Sequence, residues 1–576
     1  MRFLALARQF AALEASGRQL RAIKLVADVL GSAESAEREQ IVYLLQGQLR
    51  PPYEGVEFGV GERLLLRAIA RAHGVTEAAV ATRLRSAGDL GTVAESLSGG
   101  ERGTGMSVRR VYGALLEVAR MAGPGSVERK TERIAALLQS APGLEARYVV
   151  RVIQGRLRLG VGDATVVEAT AVGALGDRAR KHVVEHAYNV RSDLGSVVRL
   201  AYAGGERALA RIGPRVGVPV RPALAQRLPS AAAVVRRLGR VQAEPKYDGI
   251  RLQLHRDGDR VWAFSRRLED VTPMFPDLTA AVRRQVRARR AIIEGEAVAF
   301  DPRTGRFLPF QLTMTRKRKH GVTEAAARRP LRLFAFDLLY ADGRDYLSRS
   351  QSERRRRLLG LLRGGPDDPL AVTDALETDQ AAELQKYFEA LVRRGLEGVV
   401  AKRLDAPYRA GARGYDWVKL KRSYQSKLRD TVDVVLVGYL AGRGRRAKLG
   451  VGSLLAAVYD PEHDRFRTVA KIGSGLSESE WKTLRSRLDA DAVRARPARV
   501  DSRLTPDVWV EPKIVVEVLA DEITRSPSHT CGKRGAEPGY ALRFPRMLGI
   551  RTDKAPEDAT TEREVLDLYR MQRRPR

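Results

Sequence analysis

The sequence is short of cysteine, of acid and of uninterrupted apolar stretches, and each shortage narrows what the chain can be. Cys531 is the only cysteine in 576 residues. One thiol excludes an intramolecular disulfide framework and a four-cysteine zinc module. No stretch approaches the roughly 18 uninterrupted apolar residues of a membrane span. The opening "MRFLALARQFAALEASGRQLR" has no signal-peptide core, because Arg8, Gln9 and Glu14 interrupt its apolar residues at helical spacing. A cytoplasmic protein with no membrane partner is therefore expected. Repeats and long low-complexity tracts are also missing. Acidic residues number 69 against 102 Lys plus Arg, a formal charge of +33, and the surplus runs along the chain instead of sitting in one tail. So large an excess repels itself in a compact state unless a polyanion relieves it, which makes nucleic acid the expected partner.

The texture changes twice along the chain, within the roughly three or four domains that such a length favours. Residues 1–210 read as helices: "VYGALLEVARMA", "ERIAALLQSA" and "ARYVVRVIQGRL" place apolar residues three and four apart with arginine between them. From 211, "RIGPRVGVPVRPALAQRLPS" concentrates proline and glycine and is expected to be a linker opening the next domain. Up to 425, short alternating or continuous apolar runs ("RLQLHRDGDRVWAFS", "AIIEGEAVAF", "LRLFAFDLLY") mix with helical ones, an α+β pattern. Residues 426–576 carry strand-like runs ("TVDVVLVGYLAG", "GSLLAAVYD", "RFRTVAKIG", "KIVVEVLADEI") around one helical piece, "SESEWKTLRSRL". A small β-barrel of the oligonucleotide-binding type (OB-fold) suits such a set, and the closing "MQRRPR" is expected to be a loose basic tail.

Chemistry concentrates in the middle region. In "EPKYDGIRLQLHRDGDRVWAFSRR", Lys246 ends a short strand ahead of a hairpin turning at Asp257-Gly258-Asp259. The lysine is either a solvated turn residue or a nucleophile. Arg251 and Arg266 are placed to surround it, to lower its pKa and to grip phosphate. Glu294 and Glu296 fall on one strand face and offer oxygens to a hard cation or a ribose, or else are merely exposed. Phe334 and Phe336 share a face, as core residues or as a wall for a purine. Further on come Glu397, Arg413 and the pair Lys419 and Lys421, which alternate with Val418 and Leu420. Two lysines on one strand face repel unless an anion lies between them.

In order, the segments "KYDGIR", "FSRRLEDVT", "IIEGEAVAFD", "FAFDLLYADG", "EGVVAKR", "DWVKLKR" and "LRFPRMLGIRTDKAPEDATT" resemble the nucleotidyltransferase motifs of ATP-dependent DNA ligases, of the replicative type found in archaea and some bacteria and related to eukaryotic ligases. "EREQIVYLLQGQL" and "RYVVRVIQGRLRLGVGDATVVEA" resemble that family's helical DNA-binding domain. The resemblance implies an all-α DNA-binding domain over 1–210, an α+β nucleotidyltransferase (adenylation) domain over 211–425 and a C-terminal OB-fold over 426–576. It implies that Lys246 takes AMP from ATP as a phosphoramidate, with Glu244 on the adenine and Phe336 stacked against it. Arg251, Arg266, Lys419 and Lys421 would hold phosphates with Arg413 near them, Glu296 would serve the ribose or metal site, and Glu397 would hold the metal, Mg2+. Arg551 and Lys554 would orient the leaving pyrophosphate, and Asp248 is a further candidate.

The implied substrate is nicked duplex DNA, joined by a monomer whose C-terminal domain rotates about the residues near Ser423. No glutamine is followed at the right spacing by two aromatics, so a sliding-clamp motif is not legible. Three other assignments compete. An NAD-dependent ligase would be expected to carry a four-cysteine zinc module, which one cysteine cannot build. RNA ligases and capping enzymes lack the helical N-terminal domain. A DNA-binding scaffold without activity has no use for Lys246, Glu296, Glu397, Lys419 and Lys421 together.

Overall fold

A computed structural model describes the chain except residues 17, 100–104, 142, 302, 309, 319, 366–367, 422–430, 443–449 and 573–576. The hinge expected near Ser423 lies outside the described residues. Helices fill the chain from Phe3 to Ala210. The helix Val108–Arg120 shows why: Ser107 accepts a hydrogen bond from the Arg110 N–H at its start, and Val108, Val111, Tyr112, Leu115 and Val118 bury one stripe. The arginines between them stay outside.

The middle region is two sheets that turn polar faces toward one another. The first, in spatial order, runs Leu224–Arg227, Arg413–Lys421, Gly398–Arg403, Val241–Lys246 and Leu376–Thr378. Strand alternation sends Ala243, Val399, Ala401, Val418 and Leu420 into a core with the helices Ala231–Leu238 and Ala381–Arg393. Glu244, Lys246, Val400, Lys402, Lys419 and Lys421 are left on the opposite face. The second sheet joins Arg260–Ser265, Ile250–Asp257, Arg290–Ala299 and Leu331–Ala341. Its Leu252, Leu254, Ile293 and Leu333 pack on Leu278, Ala281 and Val282 of the helix Pro276–Gln285, which frees Arg251 and Glu296 for the other side.

The proline-rich stretch after 211 is more than a linker. Leu224–Arg227 is a strand, parallel to Arg413–Lys421, with Leu224 opposite Arg413 and Arg227 opposite Lys419. Pro222 and Pro229 bracket it, so the composition that marks a break also hides four residues of sheet.

The C-terminal region is strand-rich, as expected. Thr431–Leu440, Ser453–Asp460 and Arg465–Ile472 form an antiparallel meander, and Val515–Leu519 pairs with the first of these and with Arg546–Ile550. The expected helix is Glu478–Ala490, started by a reciprocal Ser477–Glu480 capping box. A last helix, Glu562–Gln572, was not anticipated, and it takes in Met571 and Gln572 of the expected tail.

Gly398 sits between two lysines of the polar face. It is the register partner of Lys246 on one side and Lys421 on the other. Its φ is +145°, and a Cβ there would lie 2.1 Å from the Leu420 carbonyl oxygen. Gly398→Ala is expected to cost about 3 kcal/mol, from backbone strain plus overpacking. Thermal unfolding of the full chain checks this, and an unchanged midpoint would refute it.

Candidate active site

The two polar faces and the C-terminal region enclose a cavity of about 240 Å³. Of the residues singled out above, Lys246 and Glu244, Arg251 and Arg266, Glu296 and Phe336, Glu397, Arg413, Lys419 and Lys421, and Arg551 and Lys554 line it, whereas Glu294 and Phe334 do not. Asp248 lines it as well. Two sheets contribute, not one: Lys246 stands on the first, whereas Arg251 and Arg266 come from the hairpin of the second.

Lys246 Nζ is ion-paired with Glu397 Oε2, and Lys421 Nζ lies 3.5 Å from the same oxygen. The anion expected between Lys419 and Lys421 thus serves Lys421 and Lys246 instead, and the carboxylate that acts on Lys419 is Glu564. Burial pushes the Lys246 ammonium down, but Glu397, with Glu296 and Asp248 behind it, outweighs burial and leaves its pKa above the ordinary lysine value. The expectation that neighbouring cations lower it is therefore corrected: carboxylates dominate around this amine, and it rests protonated. The Glu296 carboxyl, half-buried, is pushed up to about 7 by burial, with Lys246 and Arg251 partly offsetting.

The floor is built by alternation on the first sheet. Glu244 is buried beside Lys402, whose Nζ lies 2.9 Å from Glu244 Oε2 and donates to the Phe336 carbonyl oxygen at 2.7 Å. Lys402 also stands 4.4 Å from the Trp417 ring centroid, a cation–π contact that eases its burial. Burial raises the Glu244 pKa and Lys402 offsets part of the rise. Phe336 meets Trp417 edge-on at 6.0 Å and stays half-exposed to the cavity. Phe334, its partner in the sequence pattern, is core: it stacks on Tyr247 with centroids 4.2 Å apart. Glu294 is likewise no free carboxylate, since it is buried and accepts from Arg251 Nη2 at 2.8 Å.

The outer wall belongs to the C-terminal region, and its acids meet the cations of the middle region. Arg413 pairs with Glu564, which also lies 3.7 Å from Arg227 Nε. Burial would raise the Glu564 carboxyl, but Arg413, Arg227 and Lys419 hold it down at about 2. Lys419 is pushed well below the lysine range by burial and by Arg227. Arg266 faces Asp558 at 3.9 Å, and the Arg267 guanidinium donates to the Thr552 carbonyl oxygen at 3.3 Å. Lys554 pairs with Asp433, and Arg551 with Asp553 at 2.8 Å. Burial lowers Lys554 to about 8 despite Asp433.

Sequence reasoning missed these acids, as well as Arg227, Lys402, Tyr408 and Trp417. Arg227 hid in the apparent linker. Lys402 and Trp417 lie inside quoted motifs at the period-two positions that share a face with Glu244, a signal that was there to be used. Glu564 and Asp558 carried none, because their partners are more than a hundred residues away.

If these ion pairs hold the C-terminal region against the middle one, Asp558→Asn with Glu564→Gln should open the molecule. Removing the buried Glu564 charge alone takes the counter-charge from Arg413, a loss of about 3–5 kcal/mol. Small-angle scattering on the nucleotide-free protein should show a larger radius of gyration than wild type, and equal radii would rule the ionic closure out.

Comparison with known proteins gives three successive matches: "DNA ligase N terminus" over residues 2–171, "ATP dependent DNA ligase domain" over 222–421 and "ATP dependent DNA ligase C terminal region" over 447–554. A protein named probable DNA ligase from Dictyoglomus thermophilum is 45% identical over 575 residues, covering 100% of this chain and 98% of the relative. A DNA ligase of Aeropyrum pernix is 42% identical, again over 100% of this chain and 98% of its own length. Among solved structures, mycobacterial DNA ligase D complexed with ATP and MES is 27% identical over 59% of this chain and 97% of its own, with a TM-score of 0.34. With three family models and full-length relatives in agreement, the chain belongs to the ATP-dependent DNA ligase family.

Proposed function

We propose that this chain seals nicks in duplex DNA at the expense of ATP, through a lysyl-AMP intermediate on Lys246. The observation that carries this is the half-buried Lys246 amine, paired with Glu397 and ringed by cations, in a cavity that two regions of the chain close together. Lys246 Nζ attacks the α-phosphorus of ATP, forming the P–N bond as the bond to pyrophosphate breaks. AMP then passes to the 5′ phosphate of the nick, and the 3′ hydroxyl attacks that phosphate and releases AMP.

The lysine attacks only after its pairing with Glu397 is broken and a proton has left Nζ. Arg251, Arg266, Lys419 and Lys421, with Arg413 near them, take up phosphate charge, and Arg551 with Lys554 orients the leaving pyrophosphate. Glu244 reads the adenine edge while Phe336 covers its face. Among the described residues no cluster of three or more His, Cys, Asp or Glu side chains forms a metal cage. Magnesium needs no cage, since it keeps waters and substrate phosphates beside one or two carboxylates, and Glu296 and Glu397 fit that demand. When bound, the ion would neutralise charge developing on the phosphates.

The domain boundaries that suit this reading are 1–210 for DNA binding, 211–425 for adenylation and 426–576 for the last domain. The meander of the last domain, extended by Val515–Leu519 and Arg546–Ile550, supports an OB-fold there. The +33 charge suits a grip on the phosphate backbone that is largely independent of sequence. A cytoplasmic monomer serving replication, repair and recombination is the simplest setting for it.

Intact mass after incubation with ATP and magnesium should rise by one AMP, mapped to Lys246, and fall back when nicked duplex is added and sealed. Lys246→Arg should abolish both adduct and sealing while leaving the melting temperature within a few degrees. A GMP adduct with none from ATP, or sealing that survives in Lys246→Arg, would overturn the assignment.

A further inference from the structure

Behind the cavity wall, one hydroxyl ties together three segments that come from distant parts of the chain. Tyr408 is buried, and its Oη donates to Glu294 Oε2 at 2.6 Å and accepts from the Ala223 N–H at 2.9 Å. Glu294 in turn receives Arg251 Nη2 at 2.8 Å, while Arg251 Nη1 donates to the Ala223 carbonyl oxygen at 2.8 Å. The Tyr408 oxygen thus touches both residues that anchor the Arg251 fork, Glu294 at the same carboxylate oxygen and Ala223 at its N–H. Its ring is fixed edge-on against Trp417, with centroids 5.7 Å apart, and lies beneath the Arg354 guanidinium at 5.8 Å. Arg354 is itself immobilised by a fully buried pair with Asp337 and a hydrogen bond to the Ala406 carbonyl oxygen.

Donors of the Arg251 fork are spent inside the protein on Ala223 and Glu294, and Nη2 also lies 3.5 Å from the Tyr408 oxygen itself. The rest, including a buried Nε–H with no acceptor among the described residues, are left to a ligand in the cavity. Which donors remain, and where they point, depends on the Glu294 oxygen that Tyr408 holds. A hydroxyl is suited to this task because it bonds a carboxylate without adding charge beside Arg251.

We propose that Tyr408 is a positioning residue for nucleotide binding: through Glu294 it sets the Arg251 guanidinium in the orientation that receives a phosphate of ATP. This rests on Arg251 as a phosphate-holding residue. A phenylalanine at 408 keeps the ring contacts with Trp417 and Arg354 and removes only the oxygen.

The test is a double-mutant cycle on enzyme adenylylation, read by mass at varied ATP in the full-length chain. Tyr408→Phe should raise KM for ATP about tenfold, the scale of one hydrogen bond to a charged group, with kcat less affected. In an Arg251→Lys background the same change should add less than twofold. Multiplicative effects of the two substitutions, or an unchanged KM in Tyr408→Phe, would overturn the proposal. A fall in kcat alone would do so too. If Tyr408→Phe melts far below wild type, Glu294→Gln decides instead: it keeps size and an acceptor, and it should show the same KM rise and the same non-additivity. Wild-type protein that takes no AMP from ATP would remove the ligase assignment and this proposal together, whereas wild-type labelling with multiplicative mutants removes the positioning role alone.

Discussion

Buried cations of one sign cannot share a small cavity without counter-charges, and the site is organised around meeting that constraint. Lys246 and Lys421 share Glu397, Arg251 has Glu294, and Lys402 has Glu244. Those acids lie on the same two sheets as the cations. Arg413, Arg227 and Arg266 are different, because Glu564 and Asp558 reach them from the C-terminal region. The low carboxyl of Glu564 and the depressed ammonium of Lys419 are two sides of that crowding. On the proposed ligase reading, a triphosphate entering the cavity meets cations that already have carboxylate partners, and its binding is an exchange of carboxylate for phosphate. Such an exchange costs less desolvation than filling a naked cationic pocket, and it couples occupancy to the position of the last domain.

How much of this was legible in the sequence follows from the range of the interactions. Period-two alternation is local, so Lys419 and Lys421 on one face, and Val418 and Leu420 on the other, were readable from nine consecutive residues. The hairpin carrying Arg251 and Arg266 was readable from its turn. The motifs then gave the chemical set in order, and every member of it reaches the same cavity. The protonation of Lys246 was misjudged because cations are plentiful nearby in sequence, whereas the deciding carboxylate comes from Glu397, some 150 positions on.

The remaining misses share a cause. Leu224–Arg227 is a strand only because Arg413–Lys421 lies beside it, and four residues between prolines show no periodicity of their own. Phe334 and Phe336 are equivalent in the pattern, yet Tyr247 stacks on the first and leaves the second to the cavity. Glu564 looks like any acid in the first turn of a helix, where the dipole welcomes it. Tertiary neighbours assign these roles, and no window of sequence contains them.

The short strand after the helical domain has one more consequence. Ala223, Leu224 and Ala225 line the cavity, while Arg221, two positions earlier, is clasped by Asp163 at 2.9 Å and donates its backbone N–H to the Asn189 carbonyl oxygen. The connection between the N-terminal helices and the first sheet is therefore also one wall of the cup. It works as a clasp, fixed to the helices at one end and built into the wall beside Arg251 at the other. A chain cut downstream of that strand would lose, along with the helices, one side of the cup.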